Sequence, residues 1–600
     1  MEACIPAIIP DVNHDANRAP YPTRFRPLAL LVLLTAVSGG LRTTIAASAP
    51  DPATDPGAEA LTPDALTPEA LISAGELALE QQELFAAAQA FAAAAEASTE
   101  VAVAERATQF TFGAGFDALA EQTAQRWATL ALENPLPREL LGRLKLRRHA
   151  VDEAAADLLA ALGPGEPRRD EVYLALASDL SSEDNAGLVT RVLSRLAALD
   201  PLAPGLQLAL GTAALRSGDY DLALGAGAAA AADDPEWPEP QLLMARALAA
   251  TGRDADALAK AAAIAAASTT AGTTASTAAT PNPLIDLEYA RLLADAGKMV
   301  EAREKLAALA AQYGDRPEIN RTLAFLDLAS GDLEAADRRL DALDDTGPDR
   351  LESFYYRAQI AAQRGDTETA RRFYDRVSSG PYLVPAQLAI ADGLARADSA
   401  EQAVEQLTRF GQDHPAQAFE VLEFKAQLLQ LLKRPDDALA VYGEALQYKP
   451  AAVSVLLSRG ALLEQQGRLP EALADLQTAV EVAPEDAVAA NAYGYLLAAR
   501  TGQSRKAWRY VRRAYEIQPR SAAIQDSVGW TLFKLGRTEE ARSHLEEALD
   551  RMPDPEIASH LAAVWWKLGD RDAATDLLLS AAVAFPDSQP VREMAERLLD

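Results

Sequence analysis

A short pattern of small residues and one proline recurs five times in the last third of the chain. Its first copy consists of Ala438, Ala445 and Pro450, so the offsets within a copy are 7 and 5 residues. Successive copies are 34, 35, 34 and 33 residues apart, and the later ones begin at Ala472, Ala507, Ala541 and Ala574. Alanines seven residues apart lie on one face of a helix, and a proline cannot continue that helix. The pattern therefore predicts an all-α chain in which a pair of helices repeats about every 34 residues.

The same register extends through the middle of the chain. Pairs of alanines 12 residues apart mark earlier repeats, which begin at Ala245, Ala290, Ala324, Ala358 and Ala391. Gly252 and Gly297 stand seven residues after the first alanine, where the turn between two helices needs a left-handed residue. Residues 95–203 keep a helical character but lose the register. The pattern resembles the tetratricopeptide repeat, which implies a superhelical solenoid of about 14–15 helix–turn–helix repeats, some of them degenerate.

Composition divides the chain into six segments. Residues 50–67 are rich in Pro, Ala and Asp and have no periodicity, which is typical of a tether. At residues 268–282, a Ser/Thr/Ala stretch, the step between repeats grows from 34 to 45 residues. This favours a flexible break between two solenoid halves, and a functional loop is the alternative. The predicted order is an N-terminal extension with signal peptide (1–49), the tether (50–67), an N-terminal solenoid (68–267), the break (268–282), a C-terminal solenoid (283–590) and a helical cap (591–600).

The N-terminal segment has the composition of a secretory signal peptide. Arg24 and Arg26 precede an apolar run of 10 residues, 28–37, which is half of what a membrane-spanning helix needs (about 20). Small residues at 47–49 offer one cleavage site, and residues 44–46 offer a second. We therefore expect export and a periplasmic location. An apolar stretch inside a disordered tail is the alternative.

Composition and motifs argue against most other classes of function. The formal net charge is -31, which disfavours nucleic-acid binding because phosphate backbones need a basic face. The single cysteine, Cys4, leaves no disulfide within the chain, and the five histidines are scattered singly, so no metal site is expected. Gly-rich phosphate loops and the GxSxG and HExxH motifs are absent from the sequence. We expect no cofactor, no small-molecule substrate and no enzymatic activity.

Three segments carry a narrower resemblance. They are NAYGYLLAARTG at 491–502, AAIQDSVGWTLFKLGRTEEARSHLEEAL at 522–549 and VAVAERATQF at 101–110. They are similar to bacterial envelope tetratricopeptide lipoproteins that act as outer-membrane adaptors of a periplasmic carboxyl-terminal processing protease. The resemblance implies a scaffold that binds this protease and its substrates, the cell-wall hydrolases. In those lipoproteins a lipobox cysteine carries the lipid. Gly40 stands at that place here, so a periplasmic protein without a lipid anchor is the expectation.

Aromatic residues mark a candidate partner-binding surface in the last repeats. The first helix of a tetratricopeptide unit lines the concave side, and Gly494, Gly529 and Ala562 fix its register. The inward positions are then occupied by Asn491, Tyr495, Asp526, Trp530, Phe533 and Trp566. Exposed aromatic side chains are enriched where proteins bind one another, so these would hold a partner segment while Asn491 and Asp526 contact its backbone. The alternative is that the aromatic residues pack against neighbouring helices or the C-terminal cap.

A basic helix is the second candidate surface. Residues 500–515 carry six basic residues and no acidic one, in an otherwise acidic chain. Arg505, Arg509 and Arg512 lie at i, i+4 and i+7, on one face of the predicted helix. This face predicts a docking ridge for an acidic partner. The alternative is a solvated face that acids on neighbouring repeats neutralise.

Together these features predict a non-enzymatic, protein-binding scaffold or adaptor in the bacterial periplasm, which recruits a protease and its cell-wall hydrolase substrates. A scaffold for polysaccharide export or envelope assembly is the alternative within the same class. An enzyme within residues 95–203 is an alternative of a different class. Nothing in that segment assembles a nucleophile, a base and an oxyanion donor. The expected partners are therefore other proteins.

Overall fold

The computed structural model describes residues 67–599 except 82, 163–168, 182, 184, 275–282, 315, 344–349 and 398. These described residues form 31 α-helices and no strand. The first fifteen helices are α1 (Pro68–Glu80), α2 (Leu84–Ala97), α3 (Val101–Gly113), α4 (Asp117–Leu130), α5 (Leu136–Arg147), α6 (Val151–Leu162), α7 (Arg169–Leu180), α8 (Ala186–Leu199), α9 (Pro204–Ser217), α10 (Tyr220–Ala230), α11 (Pro238–Ala250), α12 (Asp254–Thr274), α13 (Pro283–Asp295), α14 (Met299–Tyr313) and α15 (Pro317–Ala329).

The remaining helices complete the same arrangement of successive pairs. They are α16 (Leu333–Asp341), α17 (Arg350–Gln363), α18 (Thr367–Tyr374), α19 (Leu383–Arg396), α20 (Ala400–Asp413), α21 (Ala418–Leu431), α22 (Pro435–Tyr448), α23 (Val453–Gln465), α24 (Leu469–Val482), α25 (Ala487–Arg500), α26 (Ser504–Ile517), α27 (Ala522–Lys534), α28 (Thr538–Arg551), α29 (Pro555–Leu568), α30 (Arg571–Ala584) and α31 (Gln589–Leu599). Fourteen of the consecutive pairs pack closely, α7 packs mainly against α9 rather than α8, and α31 is a final cap helix, which agrees with the predicted all-α solenoid of 14–15 repeats.

The turns within the pairs follow the glycine pattern of the sequence. Ten of the described turns are closed by a glycine with positive φ, and Gly252 and Gly297 are two of them. His149 in the α5/α6 turn and Lys433 in the α21/α22 turn adopt the same left-handed conformation, at φ 65° and 59°. A side chain makes this conformation unfavourable, which is why glycine fills the position in most repeats.

Small residues at the repeat positions set the distance between paired helices. Ala438 and Ala445 of α22 are both fully buried. On Gly529 of α27, a Cβ atom would lie 2.5 Å from Cγ of Leu545 and 3.1 Å from the carbonyl oxygen of Ala541. Helices α27 and α28 are therefore so close at position 529 that only glycine, which has a hydrogen atom in place of a side chain, fits there. The alanine and glycine pattern encodes this close packing directly.

The solenoid has an inner and an outer layer. From α9 onward, most odd-numbered helices of neighbouring repeats contact one another: α9, α11, α13 and α15 in series, α19 with α21, and α23, α25, α27, α29 and α31 in series. The odd-numbered helices therefore form the inner, concave layer in this part of the chain. Near the N-terminus the even-numbered helices approach instead, since α2 contacts α4 and α6 contacts α8.

The N-terminal repeats touch the C-terminal repeats across a turn of the superhelix. Phe116, in the turn between α3 and α4, is 1% exposed and stacks on Tyr448 at the end of α22, with ring centroids 4.4 Å apart. Asp117 lies within the electrostatic reach of Lys449, and His149 within that of Asp486. We call this contact, residues 115–117 and 149 against 448–449 and 486, the seam. It joins segments that are more than 300 residues apart in sequence.

Two domain boundaries can be compared with the structure. Thr67 caps α1, where its Oγ1 atom accepts a hydrogen bond of 3.3 Å from the backbone N–H of Ala70, as the sequence indicates. The predicted flexible break at 268–282 is wrong in its first half because residues 268–274 continue α12, and the rest of the break lies outside the described residues. The six alanines within residues 261–267 are strong helix formers, and the helix that they favour continues for about two more turns into the Ser/Thr segment.

The predicted signal peptide and nearly all of the tether, residues 1–66, lie outside the described residues. None of the described helices combines the length and the apolar character that crossing a bilayer requires.

Candidate partner-binding surfaces

The candidate concave residues lie on three consecutive inner helices, α25, α27 and α29, and the cap helix α31 packs next to them. Gly494 and Gly529 face the outer helices α26 and α28. The next residues along each helix, Tyr495 and Trp530, turn toward the inner layer because one residue rotates the helix by about 100°. Both residues contact side chains of α29.

Trp530 is at the centre of this group and is buried, with 5% of its surface exposed. Its ring stacks on His560 with centroids 4.0 Å apart and on Phe533 at 5.3 Å. The ammonium group of Lys534 lies 4.4 Å from the Trp530 centroid, and Met594 of the cap helix joins the same apolar core. The expectation that Trp530 is exposed in the groove is therefore wrong. Its aromatic neighbours and the cap cover it, as the alternative interpretation proposed.

Asp526 is also buried, at 6% exposure, and its carboxylate is engaged. The Nδ1 atom of His560 lies 2.8 Å from its Oδ1 atom, so the imidazole donates a hydrogen bond to the carboxylate. Asp526 thus does not offer the free acceptor that we expected for a partner's backbone. Sequence reasoning missed His560, although it follows Asp526 by 34 residues, which is one repeat length, and this spacing places the two on neighbouring inner helices.

Tyr495 and Asn491 stay half-buried on α25. The hydroxyl of Tyr495 donates a hydrogen bond to Glu556 at the start of α29, so the bond passes over α27. Burial and the neighbouring Glu556 carboxylate raise the pKa of the Tyr495 phenol, which therefore stays protonated. The Oδ1 atom of Asn491 has no hydrogen-bond partner within the described part of the chain.

Phe533 and Trp566 complete the candidate surface and are half-buried. The guanidinium carbon of Arg571 lies 5.1 Å from the centroid of the Trp566 ring. We call Asn491, Tyr495, Phe533 and Trp566 the inner aromatic surface. It rests on the buried Trp530–His560–Asp526 group, which fixes its shape. A partner segment would find partly exposed aromatic rings at this surface on a rigid support.

A second aromatic group lies on the inner layer farther toward the N-terminus, and sequence reasoning missed it. Tyr355 and Tyr382 stack with centroids 4.9 Å apart, and Tyr356 packs edge-on against Phe325 at 4.8 Å. Burial raises the pKa of Tyr356 to about 12. The Tyr382 hydroxyl donates a 2.7 Å hydrogen bond to Glu352. Tyr355, Tyr356 and Glu352 are buried, so this group serves packing; the residues FYY at 354–356 were its signal.

The predicted basic face lies on the outer layer, on α26. Arg505, Arg509 and Arg512 are all exposed along one side of this helix, and we call them the arginine ridge. The opposite side of the helix packs against α25 through Ala507 and Val511, which are fully buried. The structure therefore brings the three arginines together as the spacing predicts. It keeps them apart from the inner aromatic surface, which lies in the other layer.

The described residues contain no group of acidic, histidine and cysteine side chains that could hold a metal ion. An open cleft of about 600 Å³ lies between the α5/α6 turn and α8, where Arg191, Ser194 and Arg195 face His149 and Asp152. Burial and the positive charge of Arg191 lower the pKa of His149, and the negative charge of Asp486 opposes this shift without cancelling it. The cleft lies next to the seam, and Arg195 is paired with Asp152 at 2.9 Å.

Comparison with known proteins agrees with the repeat architecture. The tetratricopeptide-repeat family model matches residues 322–383, 425–487 and 529–589. These segments fall on the helix pairs from α15 to α18, from α21 to α24 and from α27 to α30, so these pairs match the tetratricopeptide repeat. A tetratricopeptide-repeat-containing protein of Pseudomonas aeruginosa is 31% identical over 203 residues. That match spans 34% of this chain and about one third (34%) of the relative's own length.

The chain is also similar, at low sequence identity, to several solved structures. A thermophilic tetratricopeptide-repeat protein from Thermus thermophilus is 24% identical, with a TM-score of 0.28, over 30% of this chain and 100% of that one. The Cut9–Hcn1 assembly of the APC/C is 14% identical, with a TM-score of 0.33, over 89% of this chain and 96% of that one. The pilF protein of Pseudomonas aeruginosa is 18% identical, with a TM-score of 0.29, over 36% of this chain and 96% of that one.

Proposed function

We propose that this tetratricopeptide-repeat solenoid is a non-enzymatic scaffold that binds other proteins through its inner layer. The observation that carries this proposal is the inner aromatic surface. Tyr495, Phe533 and Trp566 stay partly exposed on three neighbouring inner helices. Aromatic side chains on a rigid support give large apolar contact at a low cost in side-chain entropy, which is the chemistry of interface anchors.

The buried group beneath the surface supports the same proposal. Trp530 and His560 are held between Phe533, Asp526 and the cap helix, so their positions do not depend on a partner. A surface that is already ordered loses little conformational freedom when a partner binds. The occupant that fits is an extended or helical protein segment with apolar side chains.

We place this scaffold in the periplasm and propose that it recruits a carboxyl-terminal processing protease together with cell-wall hydrolases. The basis is the apolar run at 28–37 after Arg24 and Arg26, together with the family resemblance of 491–502 and 522–549. Mass spectrometry of the mature protein tests export: we expect an N-terminus near residue 47 or 50 without an acyl chain. An N-terminus that retains the apolar run would contradict export by this route.

Affinity capture from envelope fractions tests the proposed function. We expect periplasmic proteases or cell-wall enzymes to be retained by the wild-type protein. Phe533→Ala or Trp566→Ala should weaken capture by about 1–3 kcal/mol each, as truncation of an interface anchor does. The control is Tyr313→Ala, which removes another half-buried aromatic from the outer helix α14.

Two outcomes would contradict these proposals separately. Equal capture by Phe533→Ala, Trp566→Ala and wild type would contradict the proposal that the inner aromatic surface binds the partners. Recovery of cytosolic partners alone would contradict the periplasmic scaffold, whichever surface binds them.

A further inference from the structure

The arginine ridge is a strongly basic surface in a strongly acidic protein. Helix α26 carries five basic residues and one acidic residue, a formal charge of +4, while the whole chain carries -31. The inner aromatic surface does not use this helix, because the ridge faces outward on the other layer of the solenoid. The charge on α26 therefore calls for its own explanation.

Contacts within the described part of the chain engage three of the basic residues of α26 but leave Arg505 and Arg509 without a carboxylate. Arg513 pairs with Glu485 at 2.5 Å, and Lys506 donates a hydrogen bond of 2.8 Å to the hydroxyl of Tyr493. Arg512 lies 3.4 Å from Glu516. Within the described residues, neither Arg505 nor Arg509 has a carboxylate at ion-pair distance.

The neighbouring outer helices do not supply the missing charge. Five of the eight carboxylates on α24 and α28 are paired with arginines that are not on α26. These pairs are Glu471 with Arg468, Asp475 with Arg459, Glu540 with Arg537, Glu546 with Arg542 and Glu547 with Arg551. The alternative interpretation, a face balanced by acids of adjacent repeats, therefore does not hold for Arg505 and Arg509.

An aromatic residue next to the arginines adds an apolar contact. Trp508 lies between Arg505 and Arg509 in the sequence and is half-buried. It packs against the apolar core that includes Val511 and Leu545. The guanidinium carbon of Arg537 lies 5.3 Å from the centroid of its ring. Arginine and tryptophan side by side on an exposed helix form the composition that dominates binding energy at protein interfaces.

We propose that the arginine ridge docks a short acidic segment of a partner protein, separately from the inner aromatic surface. Arg505 and Arg509 are about 6 Å apart along the helix axis, and Arg512 extends the ridge to about 10 Å. Acidic side chains at alternate positions of an extended segment repeat about every 6.6 Å, so two or three carboxylates match the ridge. Paired guanidinium and carboxylate groups form strong, charge-assisted hydrogen bonds.

The charge distribution favours a short protein segment over an extended polyanion. Electrostatic interactions between exposed charges are screened beyond about 8 Å at physiological salt, so a short segment on the ridge feels mainly the arginines. A nucleic acid or an anionic membrane would extend past the ridge onto a protein that is strongly negative overall.

A labelled peptide tests the proposal on the full-length protein. The probe is a peptide of about 12 residues with glutamate at alternate positions, which spans the ridge when extended, and its counterpart carries glutamine instead. Fluorescence anisotropy should show saturable binding of the glutamate peptide that weakens as salt rises, and at least about 10-fold weaker binding of the glutamine peptide.

The variants separate the ridge from overall charge. The double variant Arg505→Glu/Arg509→Glu should bind the glutamate peptide at least about 10-fold more weakly than wild type. The matched control Arg371→Glu/Arg372→Glu changes the net charge equally on another outer helix, α18, and should bind as wild type does. Both should melt at the wild-type temperature because the replaced side chains are exposed.

Three results would overturn the proposal. The first is no saturable binding of the glutamate peptide to the wild-type protein. The second is an equal loss of binding in the two double variants, which would assign the effect to net charge. The third is binding to vesicles of anionic phospholipid that the ridge variant loses while the peptide does not bind. None of these three results bears on the capture of proteases from envelope fractions, because the variants in that experiment test the inner aromatic surface.

Discussion

The N-terminal repeats, α1 to α8, and the last repeats, α21 to α30, are made of the same helix pairs but are held together differently. In the last repeats, small residues at fixed positions bring paired helices close together, as Ala438, Ala445 and Gly529 do. In the N-terminal repeats the sequence spacing of small residues is less regular, although Gly142 brings α5 equally close to α6. Partly buried ion pairs add links from α5 to α4 and to Glu183, between α7 and α8.

One network shows the difference most clearly. Arg147 at the end of α5 pairs with Asp117 of α4 at 2.7 Å and with Glu183, between α7 and α8, at 2.7 Å. Arg143 reaches the same Glu183 carboxylate at 2.9 Å. Asp117 adjoins Phe116, which stacks on Tyr448 across the seam. The N-terminal repeats are therefore connected by charge to one another and by an aromatic contact to the C-terminal repeats.

The largest effect is expected from Trp530→Ala, which tests packing in the last repeats. Removing a buried tryptophan should lower the free energy of unfolding of these repeats by about 3–5 kcal/mol. Denaturant unfolding of the two proteins checks this expectation. Trp566→Ala, which removes a half-buried ring from the same surface, is the control and should lose less. An unchanged midpoint for Trp530→Ala would mean that Trp530 is exposed in solution.

The next largest effect is expected from Glu183→Gln, which tests the charge network in the N-terminal repeats. The substitution removes the buried carboxylate that the partly buried Arg143 and Arg147 share, and should cost about 2–3 kcal/mol. Limited proteolysis should then cut first within residues 101–199. Glu471→Gln, which breaks an exposed pair on α24, should show no measurable change. Equal sensitivity of the two variants to proteolysis would contradict the proposed difference between the N-terminal repeats and the last repeats.

A smaller effect is expected from Gly529→Ala, which tests the small-residue register. The added Cβ atom meets a backbone oxygen and a leucine side chain, so we expect a loss of about 1–3 kcal/mol. Gly225→Ala in α10 is the matched control, because a Cβ atom there meets nothing within 4 Å. That substitution should stabilise the protein by about 0.5–1 kcal/mol, since alanine is the better helix former. Thermal melting distinguishes the two, and a loss in both would contradict the register argument.

The smallest effect is a dependence on pH. Burial raises the pKa of Glu183, but the hydrogen bonds and charges of Arg147 and Arg143 outweigh it, and the pKa of Glu183 lies below its usual value of 4.5. The stabilisation by this carboxylate is therefore complete above pH 4.5 and is lost as the pH falls through the lowered pKa. The difference in stability between wild type and Glu183→Gln should shrink over that acidic range. A constant difference at every pH would contradict the ionised pair.

Local sequence pattern predicted the helix pairs, the glycine turns, the start of the solenoid at residue 68 and the exposed face of α26. These features depend on residues within one repeat or on its immediate neighbour. The burial of Trp530 could not be predicted because His560 and the cap helix, one or two repeats away, decide it. The seam depends on the twist accumulated over about nine repeats, and small differences in each repeat add up. No local sequence pattern near Phe116 or Tyr448 therefore predicts that these two residues meet.

Hydrogen–deuterium exchange of Phe116→Ala tests the central contrast most directly. If the seam holds the N-terminal repeats, exchange should accelerate in α2 to α4 and at the junction of α22 and α23, on both sides of the seam. It should stay unchanged in α27 to α30, which pack only on their neighbours. Acceleration confined to α3 and α4, or spread evenly over the solenoid, would contradict a seam that joins the two regions.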